Sequence, residues 1–99
     1  MNKDFAHHAR ILYDAVLSLE TTEECEAFFS DLCTMQELES LVQRLDVAKC
    51  LLDGKNYNDI SKEIGVSTAT ICRVGKCIKY GDGGYKTALS RIYGDGKND

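Results

Sequence analysis

Ninety-nine residues with 43% apolar side chains and no proline fit one small, helix-rich domain; a chain this short buries only roughly two thirds of its unfolded surface, so a second copy would help complete its core. Its apolar runs are a few residues long, which excludes a membrane span and a signal-peptide core and makes the cytoplasm the expected location. The formal charge of −4 argues at first against nucleic acid, yet it is unevenly spread.

Residues 1–54 carry four basic against eleven acidic side chains. Residues 55–79 reverse this, with Lys55, Lys62, Arg73, Lys76 and Lys79 against Asp59 and Glu63, and residues 80–99 balance. One segment can therefore face phosphate. The five cysteines, Cys25, Cys33, Cys50, Cys72 and Cys77, are odd in number and contain no CxxC. That pattern excludes a disulfide framework and a zinc ribbon, and predicts reduced, mostly buried thiols.

In chain order, Phe5, Ala9, Leu12, Val16 and Leu19 recur at spacings of four and three, which predicts a first helix with one apolar stripe. Thr21 followed by Glu24 is a capping box for a second, shorter helix expected to bury Cys25, Phe28, Phe29 and Leu32. Thr34 and Glu37 repeat the signal for the longest helix, whose Leu38, Leu41, Leu45, Ala48, Leu51 and Leu52 keep a helical period up to Gly54, a left-handed stop. His7 and His8 are adjacent and lack spaced partners, so they are expected on the surface and no metal site is expected.

From Tyr57 the pattern tightens. Ile60 and Ile64 lie four apart, Gly65 and Val66 follow, and Ile71 and Val74 lie three apart after Ser67. A short helix, a glycine turn and a second helix running to Tyr80 account for all of these. Ser67 is placed to cap the second helix. With Ile71 and Val74 inward, the other faces present Thr68, Ala69, Cys72, Arg73 and Lys76. Small hydroxyl and methyl groups at the start of such a helix can approach base edges in a major groove. Ser67, Thr68, Ala69, Thr70 and Cys72 are the base-edge candidates, and Lys55, Lys62, Arg73, Lys76 and Lys79 the phosphate candidates; Thr70 could instead face the hairpin. The glycines of "YGDGGYK" predict a turn, although such loops can also approach phosphate. A last helix, "YKTALSRIY", is expected to set Tyr85, Leu89, Ile92 and Tyr93 against the body or across a dimer, and "GDGKND" reads as a frayed tail.

Three stretches in order, "T-x2-E" at 34–37, "QRLDVAKCLLDG" at 43–54 and "IGVSTATICR" at 64–73, make the chain resemble the bacterial tryptophan repressor family, with the look of its YerC/YecD-type branch. The resemblance implies an all-α fold: an intertwined helical homodimer with a helix-turn-helix in each subunit, whose two heads reach successive major grooves. On that pattern residues 1–99 form a single DNA-binding domain, with the helix-turn-helix at about 57–80 and dimerisation helices at about 3–53 and 85–93. The resemblance also implies an effector site, because the family holds an amino-acid corepressor between the long helix and the reading helix. Thr34, Arg44 and Arg73 stand at its contact positions, and guanidinium planes both stack on rings and bind carboxylates.

Two positions depart from that pattern. Val74 stands where the family has a glycine that makes room for the ring, and Cys77 replaces a serine that helps fix the ligand's polar end. The stretch from Gly54 to Gly65 is also one residue shorter than in corepressor-responsive members. These departures allow a head that is permanently set, or an effector smaller than or different from L-tryptophan, which stays the one candidate corepressor; no other cofactor is expected. Arg73 has a further reading as a phosphate contact.

The expected function is thus a cytoplasmic, homodimeric, sequence-specific regulator of transcription, a repressor acting on a palindromic operator in double-stranded DNA, with no membrane partner. The alternative is a protein-docking module that uses the same hairpin without specific DNA contact, its acidic first half suiting a basic partner. No paired carboxylates, cysteine–histidine neighbours, phosphate loop or metal spacing point to an enzyme, and no catalytic residue is expected.

Overall fold

Local side-chain caps decide where most of the helices begin. In the computed structural model, which describes residues 4–94, six helices run in the order α1 Phe5–Leu17, α2 Thr22–Leu32, α3 Met35–Leu52, α4 Tyr57–Ile64, α5 Thr68–Tyr80 and α6 Gly84–Tyr93, with no strand among the described residues. Thr21 Oγ1 accepts the Glu24 amide at 3.1 Å, and Glu24 Oε1 reaches back to the Glu20 amide at 2.8 Å. At α3 the exchange is a full capping box: the Glu37 amide donates to Thr34 Oγ1 at 3.1 Å and the Thr34 amide to Glu37 Oε1 at 2.8 Å. Asn56 Oδ1 caps α4 through the Asp59 amide at 2.9 Å.

Gly54 ends α3 as expected. Its φ of +88° lets the Lys55 amide reach the Cys50 carbonyl at 3.1 Å while its own amide bonds the Leu51 carbonyl at 3.0 Å. These two bonds form the Schellman closure, which satisfies carbonyls that the helix end would otherwise orphan.

The chain divides into two compact units, one ending at Leu38 and the other beginning at Glu39, so that α3 starts in the first and continues in the second. In the first unit no residue of α1 or α2 is buried. Phe28 and Phe29 are half-buried and meet edge to face with ring centroids 5.4 Å apart. Leu32, expected inside, is 52% exposed. The first helix stops at Leu17, two residues short of Leu19, and its stripe of Phe5, Leu12 and Val16 stays exposed, with Leu17 at 81%.

The second unit holds the core. Val47 and Ala48 of α3, Ile60 of α4, Val66 of the turn, Ile71 and Val74 of α5 and Leu89 of α6 are buried together, with Leu51, Leu52, Ile64, Ile78 and Tyr85 packed around them. Val47 lies outside the expected α3 stripe, whereas Leu41 and Leu45, inside it, are exposed. The second half of α3 keeps Ala48, Leu51 and Leu52 of the expected stripe on the core side and adds Val47, while the stripe's earlier Leu41 and Leu45 stay outside. In α6, Leu89 and Tyr85 pack as expected, while Ile92 and Tyr93 remain exposed; the Lys49 ammonium sits 4.7 Å from the Tyr93 ring centroid. The tail beyond Gly94 lies outside the described residues.

The cysteines correct an expectation. All five are unbridged, but none is buried: Cys25, Cys33 and Cys50 are half-buried, and Cys72 and Cys77 are exposed. The inner face of α5 is already filled by Ile71, Val74 and Ile78, which leaves both of its cysteines on outer faces. Burial pushes the Cys50 thiol up, with Lys55 opposing and Glu63 adding to the effect.

Candidate nucleic-acid interface

The turn between α4 and α5 is three residues, Gly65, Val66 and Ser67. Gly65 adopts φ +78° and ψ 34°, the left-handed conformation that ends α4, and its amide bonds the Ser61 carbonyl at 2.8 Å. Ser61 Oγ donates to the Val66 carbonyl at 2.8 Å, tying the turn back to α4, while Val66 drops into the core. Ser67 Oγ then accepts the Thr70 amide at 3.2 Å and starts α5. Gly65→Ala is expected to cost about 1–2 kcal/mol, the price of a side chain in that conformation, read as a lower urea midpoint with an unchanged slope.

A second glycine, Gly75, was not singled out by the sequence reading. A Cβ there would meet Tyr57 Oη at 3.0 Å and Leu51 Cδ1 at 3.8 Å. An isolated glycine inside a helical pattern is a signal of close packing, and here it lets α5 approach the start of α4 and the end of α3.

The base-edge candidates divide. Ser67, Thr68, Ala69 and Cys72 are exposed, whereas Thr70 is half-buried with its hydroxyl 3.2 Å from Ser67 Oγ. Thr70 is thus partly withdrawn from the outer face, on the side of α3, and its hydroxyl is engaged locally. Along α5, Ala69, Cys72 and Lys76 recur on the face opposite Ile71, Val74 and Ile78.

The cations divide too. Lys62, Arg73, Lys76 and Lys79 are exposed and take part in none of the ion pairs seen among the described residues. Lys55 is engaged: its Nζ lies 2.8 and 3.1 Å from the two Glu63 carboxylate oxygens, and that hydrogen bond pushes its ammonium pKa up. A phosphate would have to compete with Glu63 for it.

Two effector candidates come together in one place. Arg44, from the middle of α3, and Arg73, from α5, line a cleft of about 310 Å³ with Ser40, Gln43, Ala69 and Thr70. The other three do not join them. Val74 is only 1% exposed and belongs to the core, Cys77 is exposed elsewhere on α5, and the Thr34 hydroxyl caps α3. A larger cleft, about 630 Å³, lies between the end of α3 and α6, but its Lys49 is already paired with Asp53 at 2.6 Å. Among the described residues no helix is long and apolar enough to cross a membrane. The adjacent His7 and His8 are exposed, as expected.

The model of the Trp repressor protein family matches residues 7–93, across both units. The chain belongs to the Trp repressor family. The chain is 51% identical over 81 residues to the uncharacterized protein YerC of Bacillus subtilis (strain 168), covering 82% of this chain and 78% of that one. The crystal structure of a TrpR like protein from Eubacterium eligens ATCC 27750 is 41% identical, with a TM-score of 0.85, covering 93% of this chain and 95% of that one. A further crystal structure, from Staphylococcus aureus, is 42% identical with a TM-score of 0.84 and the same coverage. The all-helical architecture expected from the three sequence stretches is therefore the family's own.

Proposed function

We propose that this Trp repressor family member is a homodimeric helix-turn-helix regulator that binds a palindromic operator in double-stranded DNA and represses by occupying it. The observation that carries the reading is the outer face of α5. Small exposed residues, Thr68, Ala69 and Cys72, occupy its first turns, and cations without ion pairs, Arg73, Lys76 and Lys79, follow them, on a helix fixed by a glycine turn and a shared core. Small residues permit close approach to base edges, and the flanking cations anchor the backbone.

The homodimer is supported by apolar surface. In one unit Ile11, Tyr13 and Leu17 of α1 are exposed, and in the other Leu41, Val42 and Leu45 of α3; large apolar side chains left in water on so small a chain mark association faces. Two heads related by a twofold axis would read half-sites about 34 Å apart. Footprinting on a DNA fragment that the protein retains should show two protections one helical turn apart; a single protection would contradict the paired heads.

A further inference from the structure

We infer that Tyr80 is an uncharged contact to the DNA backbone, its phenol hydroxyl donating a hydrogen bond to a phosphate oxygen where α5 leaves the groove. The inference rests on the DNA-binding reading and adds to it a residue that charge does not mark.

Tyr80 is the last residue of α5 and, at 83%, the most exposed large apolar side chain among the described residues. It has no part in the core shared by α3, α4, α5 and α6, and no hydrogen bond among the described residues engages its hydroxyl. The fold leaves both ring and hydroxyl to whatever approaches this end of the helix.

The position on α5 says what that is. Residues three and four apart share a helix face, so Ala69, Cys72, Lys76 and Tyr80 run in one line along the outer face. Tyr80 comes eleven residues after Ala69, which completes almost whole turns and points it the same way. At 1.5 Å per residue it lies about 16 Å along the axis from Ala69, well beyond the roughly 8.5 Å depth of a major groove. A reading helix meets base edges with its first turns. A side chain this far along stands at the level of the sugar–phosphate backbone.

The surroundings match an anionic partner. Between Ile64 and Gly94 the one acidic residue is Asp82, against Arg73, Lys76, Lys79, Lys86 and Arg91. Beyond Tyr80 the chain turns through glycines, and a Cβ built on Gly83 or Gly84 would meet nothing within 4 Å. The turn beside the ring is therefore slim, and a duplex can come close. A phenol O–H donates and phosphate oxygens accept; tyrosine is among the side chains that position proteins on DNA in this way.

The test uses the full chain and its Tyr80→Phe and Tyr80→Ala variants, with Tyr93→Phe on α6 as a control. Binding to a mixed-sequence duplex is followed by anisotropy over a salt series, and thermal unfolding checks that the variants stay folded. Tyr80→Phe should weaken binding about 3- to 10-fold, the worth of one hydrogen bond, at every salt concentration. The slope of log K against log salt should not move, because a neutral hydroxyl releases no counterion, whereas Lys79→Ala should lower it by about 0.9. The loss should be the same on a second, unrelated duplex, and Tyr93→Phe should bind as the wild type does. Wild-type affinity in Tyr80→Phe, whether or not Tyr80→Ala is weakened, overturns the hydrogen bond. A wild type that holds no duplex would instead sink the regulator reading itself.

Discussion

Ile71→Ala is expected to destabilise the chain by about 2–5 kcal/mol, the range for emptying a packed aliphatic site. Ile71 is 0% exposed and sits among Val47, Ile60, Val66 and Val74, where α3, α4, the turn and α5 meet. None of those neighbours can collapse into the gap without moving a helix, because each anchors a different element. For a domain of this size, roughly 4–8 °C is lost per kcal/mol, so the midpoint should drop by at least about 8 °C in thermal unfolding at matched protein concentration, a condition that a dimer requires. Ile71→Val, which removes one methyl group, should cost only about 0.5–1.5 kcal/mol. Equal losses for the two would mean that Ile71 is not packed as described. The same residue sets the exposed face of α5, so DNA binding should fall with stability in the alanine variant and survive in the valine one.

The second large effect is electrostatic. Lys76 and Lys79 are exposed, three residues apart on α5, and outside any ion pair seen among the described residues. If each neutralises one DNA phosphate, the double Lys76→Ala, Lys79→Ala variant should flatten the salt slope by about 1.8 and weaken duplex binding roughly 30-fold near 0.15 M salt. Removing Lys55 should do less, because Glu63 already competes for its ammonium. A double variant with an unaltered slope would remove both lysines from the footprint and favour the docking alternative, in which the hairpin meets a protein instead. Anisotropy with a fixed duplex from 50 to 300 mM salt distinguishes the two.

Much of this molecule was legible because short-range chemistry wrote it down. Thr34 with Glu37, Gly54 and Gly65 at left-handed ends and Ser67 before α5 each act within a few residues, and each has the local geometry its residue type favours. The anchors Ile60, Ile71 and Val74 were legible from spacing alone. What spacing could not reveal was which face a long helix turns to which neighbour. The leucines of α3 announce a stripe, yet Val47, beside Ala48, enters the core while Leu41 and Leu45 stay outside it.

The candidate site shows the same boundary. Arg44 and Arg73 are 29 positions apart in the sequence, and only the packing of α3 against α5 puts them on one cleft. The resemblance paired them before the geometry did, but it also pointed to Val74 and Cys77, which the fold sends elsewhere. Gly75 went unnoticed because its reason is a neighbour from another helix, the Tyr57 hydroxyl. A residue whose role depends on a long-range contact leaves little trace in local pattern.

Capture of fragments from the source genome by the purified protein at near-physiological salt, with and without L-tryptophan, tests the central claim most directly. The account predicts enrichment of a palindromic site, to the same extent in both conditions, because Ala69 is the one apolar side chain lining the cleft beside Arg44 and Arg73, and Val74 is committed to the core. Retention of no site in either condition, or retention indifferent to sequence, would contradict it.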